Sequence, residues 1–233
     1  MDRRSYLRAA MGAGAVGLAG CLGGEGVTTE TETPSPYASA DTYLDAPDLD
    51  GPPESYPWPA HGQSLPEVTL PDPLSGESVA TTQFDRPTFV TFFYHNCQTT
   101  CPLLISGLQG VQATVADEGD PDSVAFLPIS FDPQRDTADA LVDYADRMRV
   151  DADHANWHFL RPADRERAKS VVQDTYGVRF QRTQPEDMDM YMFDHRGIVL
   201  LANGDGYVER SYRESFAWQD LYDDYEALRE ARA

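Results

Sequence analysis

Residues 88–94 read Thr-Phe-Val-Thr-Phe-Phe-Tyr, an aromatic and β-branched run with no polar face. Such a run predicts a central strand buried on both sides. A second buried strand is predicted at 124–131 and a short one at 157–160. Elsewhere the period changes from strand to helix. Ala140, Leu141, Tyr144, Ala145 and Met148 recur at helical spacing, so 137–148 is an amphipathic helix with Thr137 at its start. Residues 102–116 predict a helix ended by Glu118-Gly119-Asp120-Pro121, and 162–176 another stopped by Gly177. Residues 64–70 and 77–80 flank a turn-rich stretch and predict a hairpin. A second hairpin is predicted where 197–201 and 207–212 bracket Asn203-Gly204-Asp205-Gly206. Residues 181–189 are acidic and patternless and read as irregular, and a helix over 215–232 closes the chain.

The N-terminal sixty residues follow neither pattern. Residues 1–20 begin with Arg3-Arg4, continue through a short, small and apolar stretch, and end at Leu18-Ala19-Gly20 before Cys21. That arrangement predicts a twin-arginine lipoprotein signal peptide over 1–20, with Cys21 as the lipidated first residue of the mature chain. Two acyl chains are what stable anchoring needs. The expected location is therefore the outer face of the cytoplasmic membrane. Residues 22–60 hold eight acidic residues and no basic one, interrupted by prolines. With Cys21 they predict an acidic, disordered tether over 21–60, ahead of a folded domain over 61–233.

Charge narrows the partners. The formal net charge is −21, and −23 once the three Arg and one Asp of residues 1–20 are set aside. Lys169 is the only lysine. Such a chain repels phosphate, which excludes nucleic acid as a partner. Acid spread evenly with so little lysine reads as adaptation to high salt, a halophilic trait that concerns the solvent and not a substrate.

The candidate chemistry lies where the first buried strand gives way to a helix, at Cys97-Gln98-Thr99-Thr100-Cys101-Pro102. Cβ atoms four residues apart on a helix are roughly 5–6 Å apart, so both sulfurs can share one metal ion or close a disulfide. The helix N-terminus favours the thiolate at both. Two thiolates are too few for a closed zinc site but suit copper when an imidazole joins them. With this pair after the first buried strand, the element order predicts a thioredoxin-like α/β fold. It would have three layers, a central mixed sheet and an added N-terminal β-hairpin. Of the five histidines, His61 is expected to be solvated at the domain boundary, and His95 to be aimed away from at least one sulfur. His154 and His158 read as structural. His195 lies in a loop before a hairpin strand, which in a thioredoxin-like fold faces the start of the cysteine helix.

The segments FFYHNCQTTCP, ISFDPQRDT, NWHFLRP and FDHRG occur in that order. Together they resemble the Sco/SenC family of copper-binding cytochrome c oxidase assembly proteins, over the whole folded domain. The resemblance implies that Cys97 and Cys101 match the family's cysteines and His195 its third ligand, for copper as Cu(I), Cu(II) or both. It implies a metallochaperone that delivers copper to the dinuclear centre of a membrane cytochrome c oxidase, its partner being the copper-accepting subunit. Some members work in thiol–disulfide exchange, with partner proteins that carry cysteines. Asp132 and Asp194 fall in matching motifs and are candidates to orient the imidazole. The chain departs from the family pattern at Gln98-Thr99-Thr100, at the Tyr94-His95-Asn96 lead-in and at Arg196. The competing reading is an enzyme, a thiol–disulfide oxidoreductase in which Cys97 and Cys101 are the catalytic redox pair. Such reductases place a substrate-docking proline before the strand that faces the site. Here Asp194-His195-Arg196-Gly197 stands there, and the nearest upstream proline is Pro185.

Overall fold

The structure, a computed structural model, describes residues 37–186, 189–213 and 216–232. The signal peptide, Cys21 and the tether as far as residue 36 lie outside the described residues. Among the described residues, eight strands and four α-helices follow in the order β1 (Thr69–Pro71), β2 (Ser78–Ala80), β3 (Thr88–Phe93), α1 (Thr100–Asp117), β4 (Ala125–Ser130), α2 (Ala138–Met148), α3 (Arg165–Lys169), β5 (Phe180–Thr183), β6 (Met192–His195), β7 (Ile198–Ala202), β8 (Val208–Arg213) and α4 (Trp218–Arg232). The main sheet has the order β4-β3-β7-β8, parallel between β3 and β4 and antiparallel elsewhere. It is the mixed sheet of a thioredoxin-like α/β fold.

All six residues of β3 are buried, which fits a strand bonded on both sides with both faces covered. Phe89 stacks on Phe126 of β4, and Phe93 stacks on Tyr144 of α2. Helix α1 lies close to the start of α4. A Cβ on Gly107 would stand 2.7 Å from the Phe216 ring, so a side chain there would force that ring to move. Thr137 caps α2 as expected, its hydroxyl accepting the Ala140 N–H. The run at 157–160 is held along β4 only by isolated parallel bridges at Trp157 and Leu160. Pro128 sits between those bridges in β4 and has no N–H for the ladder, so a regular strand does not form.

Two expectations change. Residues 181–189 are not all irregular, because β5 pairs antiparallel with β6 in a separate two-stranded sheet. Three of its four residues are exposed, so no apolar alternation marks it in the sequence. Residues 37–60 do not behave as a free tether. The Tyr43 and Leu44 N–H groups donate to Glu209 at 2.9 and 3.1 Å, and Trp58 is buried. The Pro57 carbonyl lies where a Cβ on Gly177 would be, 1.5 Å away, and Gly177 has φ +69°. Backbone bonds to a buried carboxylate hold this strap, a contact that composition does not register.

Candidate metal centre

Helix α1 begins without an ordinary cap. Thr99 occupies the capping position, but its side chain accepts no bond from the helix. The Cys101 N–H points instead at the Cys97 sulfur, 3.4 Å away. Cys97 therefore stands at the partially positive end of an 18-residue helix. The turn that brings it there is closed by the Cys97 N–H donating to the Tyr94 carbonyl at 3.1 Å. Asp136, fully buried, fixes the lead-in. Its Oδ1 accepts the His95 backbone N–H at 3.1 Å and lies 2.6 Å from His95 Nδ1, while Oδ2 accepts the Ser130 hydroxyl. His95 is thereby committed to a carboxylate and kept off the sulfurs.

His195 arrives from the other side of the site. It is the last residue of β6, opposite Phe180, and not part of a loop as the sequence suggested. Its Nε2 is 3.6 Å from Cys97 Sγ and 3.4 Å from Cys101 Sγ. Its Nδ1 faces the Arg196 carbonyl at 3.3 Å. Nε2 is therefore the ring nitrogen turned toward the sulfurs, placed either to bond the Cys97 thiolate or, once its proton is lost, to ligate an ion. Tyr94 meets the ring edge-on at 5.8 Å between centroids, and Phe131 packs against it at 5.0 Å.

Both cysteines are free and buried. The Cys97 thiol is lowered to about 3, chiefly by the hydrogen bond from Cys101. His195 and the N–H groups of Cys101 and Thr99 add to this, and burial opposes it. Cys101 is pushed well above the usual thiol range, first by burial and then by its bond with Cys97 and the negative charge there. The pair thus holds one proton, on Cys101. The Cys97, Cys101 and His195 ligand atoms all lie within 4.8 Å of one another. With metal–sulfur and metal–nitrogen bonds of about 2.0–2.3 Å, three ligands at trigonal angles stand roughly 3.5–4 Å apart. An ion fits this triangle with small movements. Two sulfurs and one imidazole suit a soft ion and fall short of a closed structural zinc site.

The other candidates lie apart. His61 is buried and not solvated, with Nδ1 2.9 Å from the Glu209 carbonyl. His158 pairs with Asp72 at 3.2 Å, and His154 lies 3.9 Å from Asp122. The expectation that Asp132 or Asp194 orients the imidazole is corrected. Asp132 binds the Arg135 Nε and accepts the Tyr191 hydroxyl at 2.9 Å, while Asp194 is exposed on the alternate face of β6. The aromatic wall of Tyr94, Phe131 and Phe193 was not foreseen as part of the site. Its only sequence signal is proximity to the motifs, since buried aromatics read equally well as core.

The family model described as SCO1/SenC matches residues 73–230. Among solved structures, Arabidopsis thaliana ScoI with copper bound is 23% identical, with a TM-score of 0.59, covering 72% of this chain and 99% of that one. Bradyrhizobium japonicum ScoI with copper bound is 22% identical, with a TM-score of 0.58, covering 71% and 99%. BsSco, described by a disulfide switch and as a member of the Sco family of cytochrome c oxidase assembly proteins, is 20% identical, with a TM-score of 0.56, covering 71% and 93%. A comparison with curated protein sequences finds no match. The family pattern runs through β3, α1 and β6, the elements that bring the two sulfurs and the imidazole together, and the chain belongs to the SCO1/SenC family.

Proposed function

We propose that this protein is a membrane-tethered copper chaperone that holds one copper ion through Cys97, Cys101 and His195 and delivers it to the dinuclear copper centre of a cytochrome c oxidase. The observation that carries this reading is the convergence of three ligand atoms within 4.8 Å, with two sulfurs among them. The copper carried by the related ScoI structures and the oxidase-assembly description of BsSco support it. Cys97 is already a thiolate and captures the ion first, and Cys101 then releases its proton as it completes the sulfur pair. The paired arginines and Cys21 support a lipid anchor on the outer face of the cytoplasmic membrane. Among the described residues, no helix is long and apolar enough to cross a membrane. The test is copper titration of reduced and of oxidised protein. One copper per chain is expected in the reduced form and far less in the oxidised one. Equal uptake by both forms would remove the sulfurs from the site.

The low Cys97 value favours a second reading, thiol–disulfide exchange with a partner protein. The Cys97 thiolate attacks one sulfur of a partner disulfide, breaking that bond and releasing the other sulfur as a thiolate. Cys101 passes its proton to the released sulfur and displaces the partner from Cys97. Two electrons pass to the partner, whose second sulfur leaves as a thiolate and takes a proton from solvent to complete the dithiol, and a Cys97–Cys101 disulfide remains. Reduction of a disulfide peptide at rates that copper loading does not suppress would favour this reading over the first.

A further inference from the structure

Cationic charge, scarce in this chain, is concentrated beside His195. Of 18 basic residues in a chain of net charge −21, five line two adjoining grooves of about 330 and 460 Å³: Arg165, Lys169, Arg179, Arg182 and Arg196. Only two carboxylates, Glu166 and Asp194, share those walls. All five cations are exposed, and none forms an ion pair with a described residue. The larger groove includes His195 in its wall, and Phe180 lines both. Strand β5 runs through this surface. It is bonded to β6 on one side, and among the described residues no strand covers its other edge.

We propose that this surface docks an extended acidic segment of a partner protein, laid along the free edge of β5 with its carboxylates facing the cations. That the docked partner then exchanges copper or thiols at His195 rests on the function proposed above. An unpaired edge offers backbone N–H and C=O groups to an incoming strand, and arginine forks match carboxylates. The Arg182 guanidinium is already stacked 3.7 Å from the Tyr191 ring centre, so its plane is set before a partner arrives. The rest of the chain, strongly negative, repels an acidic segment, so the grooves fix where it binds. An anionic lipid surface fits less well. The net charge repels it, and the cations line concave walls and not a flat face.

The probe is an eight-residue peptide of alternating Asp and Val, titrated into the full-length chain by calorimetry. Binding is expected, and replacement of Arg165, Lys169 and Arg179 by Glu together should weaken it tenfold or more. Circular dichroism confirms that this variant is folded, and a second variant, Arg165→Lys with Arg179→Lys, should retain most of the affinity. Copper stoichiometry should stay the same in both. If the wild-type chain binds no copper but the peptide result holds, the proposed function fails and the docking surface stands. Equal binding of a Lys–Val peptide, full affinity in the charge-reversed variant, or complete displacement by equimolar inorganic phosphate overturns the proposal. So does capture by phosphatidylglycerol vesicles without binding of the acidic peptide.

Discussion

Two buried polar centres face different tasks in this molecule. At Glu209 on β8, a fully buried carboxylate receives the N–H groups of Tyr43 and Leu44 and the Asn203 side-chain amide at 2.6 Å. Its acceptors are met by donors from the protein itself, and the result is a fixed strap. At the sulfur site, Cys97, Cys101 and His195 turn three ligand atoms toward one another with a single thiol proton between the sulfurs. Buried acceptors that are saturated hold a chain in place. Buried acceptors that converge with too few donors are ready for a cation.

The strongest way to break this contrast is to remove a sulfur. Cys97→Ala and Cys101→Ala should each weaken copper binding by about 100-fold or more, since one thiolate and one imidazole form a poor copper site. Stability should change little for Cys97→Ala, whose side chain is small. Competition with a Cu(I) chelator, alongside denaturant unfolding, measures both effects. Copper binding that survives either substitution would mean that the triangle is not the site.

The complementary change removes the saturated acceptor. Glu209→Ala leaves two backbone N–H groups and an amide without their partner, at a cost of about 2–4 kcal/mol. The urea midpoint should fall, and protease should cut within residues 37–60, while copper affinity stays at the wild-type value. Gly177→Ala should produce the same cleavage by a different route, because its Cβ would collide with the Pro57 carbonyl. A loss of copper affinity in either variant would show that the two centres are coupled.

These outcomes also mark where the sequence is legible. β3, β4, α1 and α2 were readable because burial on both faces and helical periodicity leave direct traces in residue order. The cysteine pair was readable because its spacing is local. His195 is legible from its position just before a hairpin strand and from the matching motif, but its placement on a strand is not. β5 and β6 form a small sheet with mostly exposed residues, and exposed pairing imposes little hydrophobic pattern. The strap was missed for a related reason. Its attachment uses backbone N–H groups and one distant carboxylate, and neither depends on the composition of residues 37–60. Asp136 carries no mark in the sequence of its role as the buried acceptor that positions His95 and with it the entry to Cys97, because its partner lies 41 residues away.

A smaller change tests the third ligand. His195→Ala should weaken copper binding by at least about tenfold, the low end of what supporting groups at metal sites contribute. It should also alter the absorption of any Cu(II) form, because two sulfurs remain. His95→Ala serves as the counter-test. His95 is held by Asp136, so its removal should leave the metal spectrum unchanged. Reversed results would transfer the ligand role from β6 to the cysteine loop.

The smallest expected effect lies in the proton shared by the sulfurs. An ordinary thiol, with a pKa of about 8.5, loses reactivity roughly tenfold for each pH unit below that value. Cys97 is lowered to about 3, so its thiolate persists until the pH falls toward that value. Between pH 8 and pH 5, its alkylation by iodoacetamide in reduced, metal-free protein should therefore change by less than about threefold. Cys101 is shifted the opposite way by burial and should remain unmodified across this range. The largest lowering of Cys97 comes from the Cys101 hydrogen bond, so Cys101→Ala should restore part of the ordinary slope. Peptide mass spectrometry of the two cysteines at each pH measures both profiles. A tenfold loss per unit in the wild-type protein would make Cys97 an ordinary thiol, and the sulfur site would then need a metal to form its first thiolate.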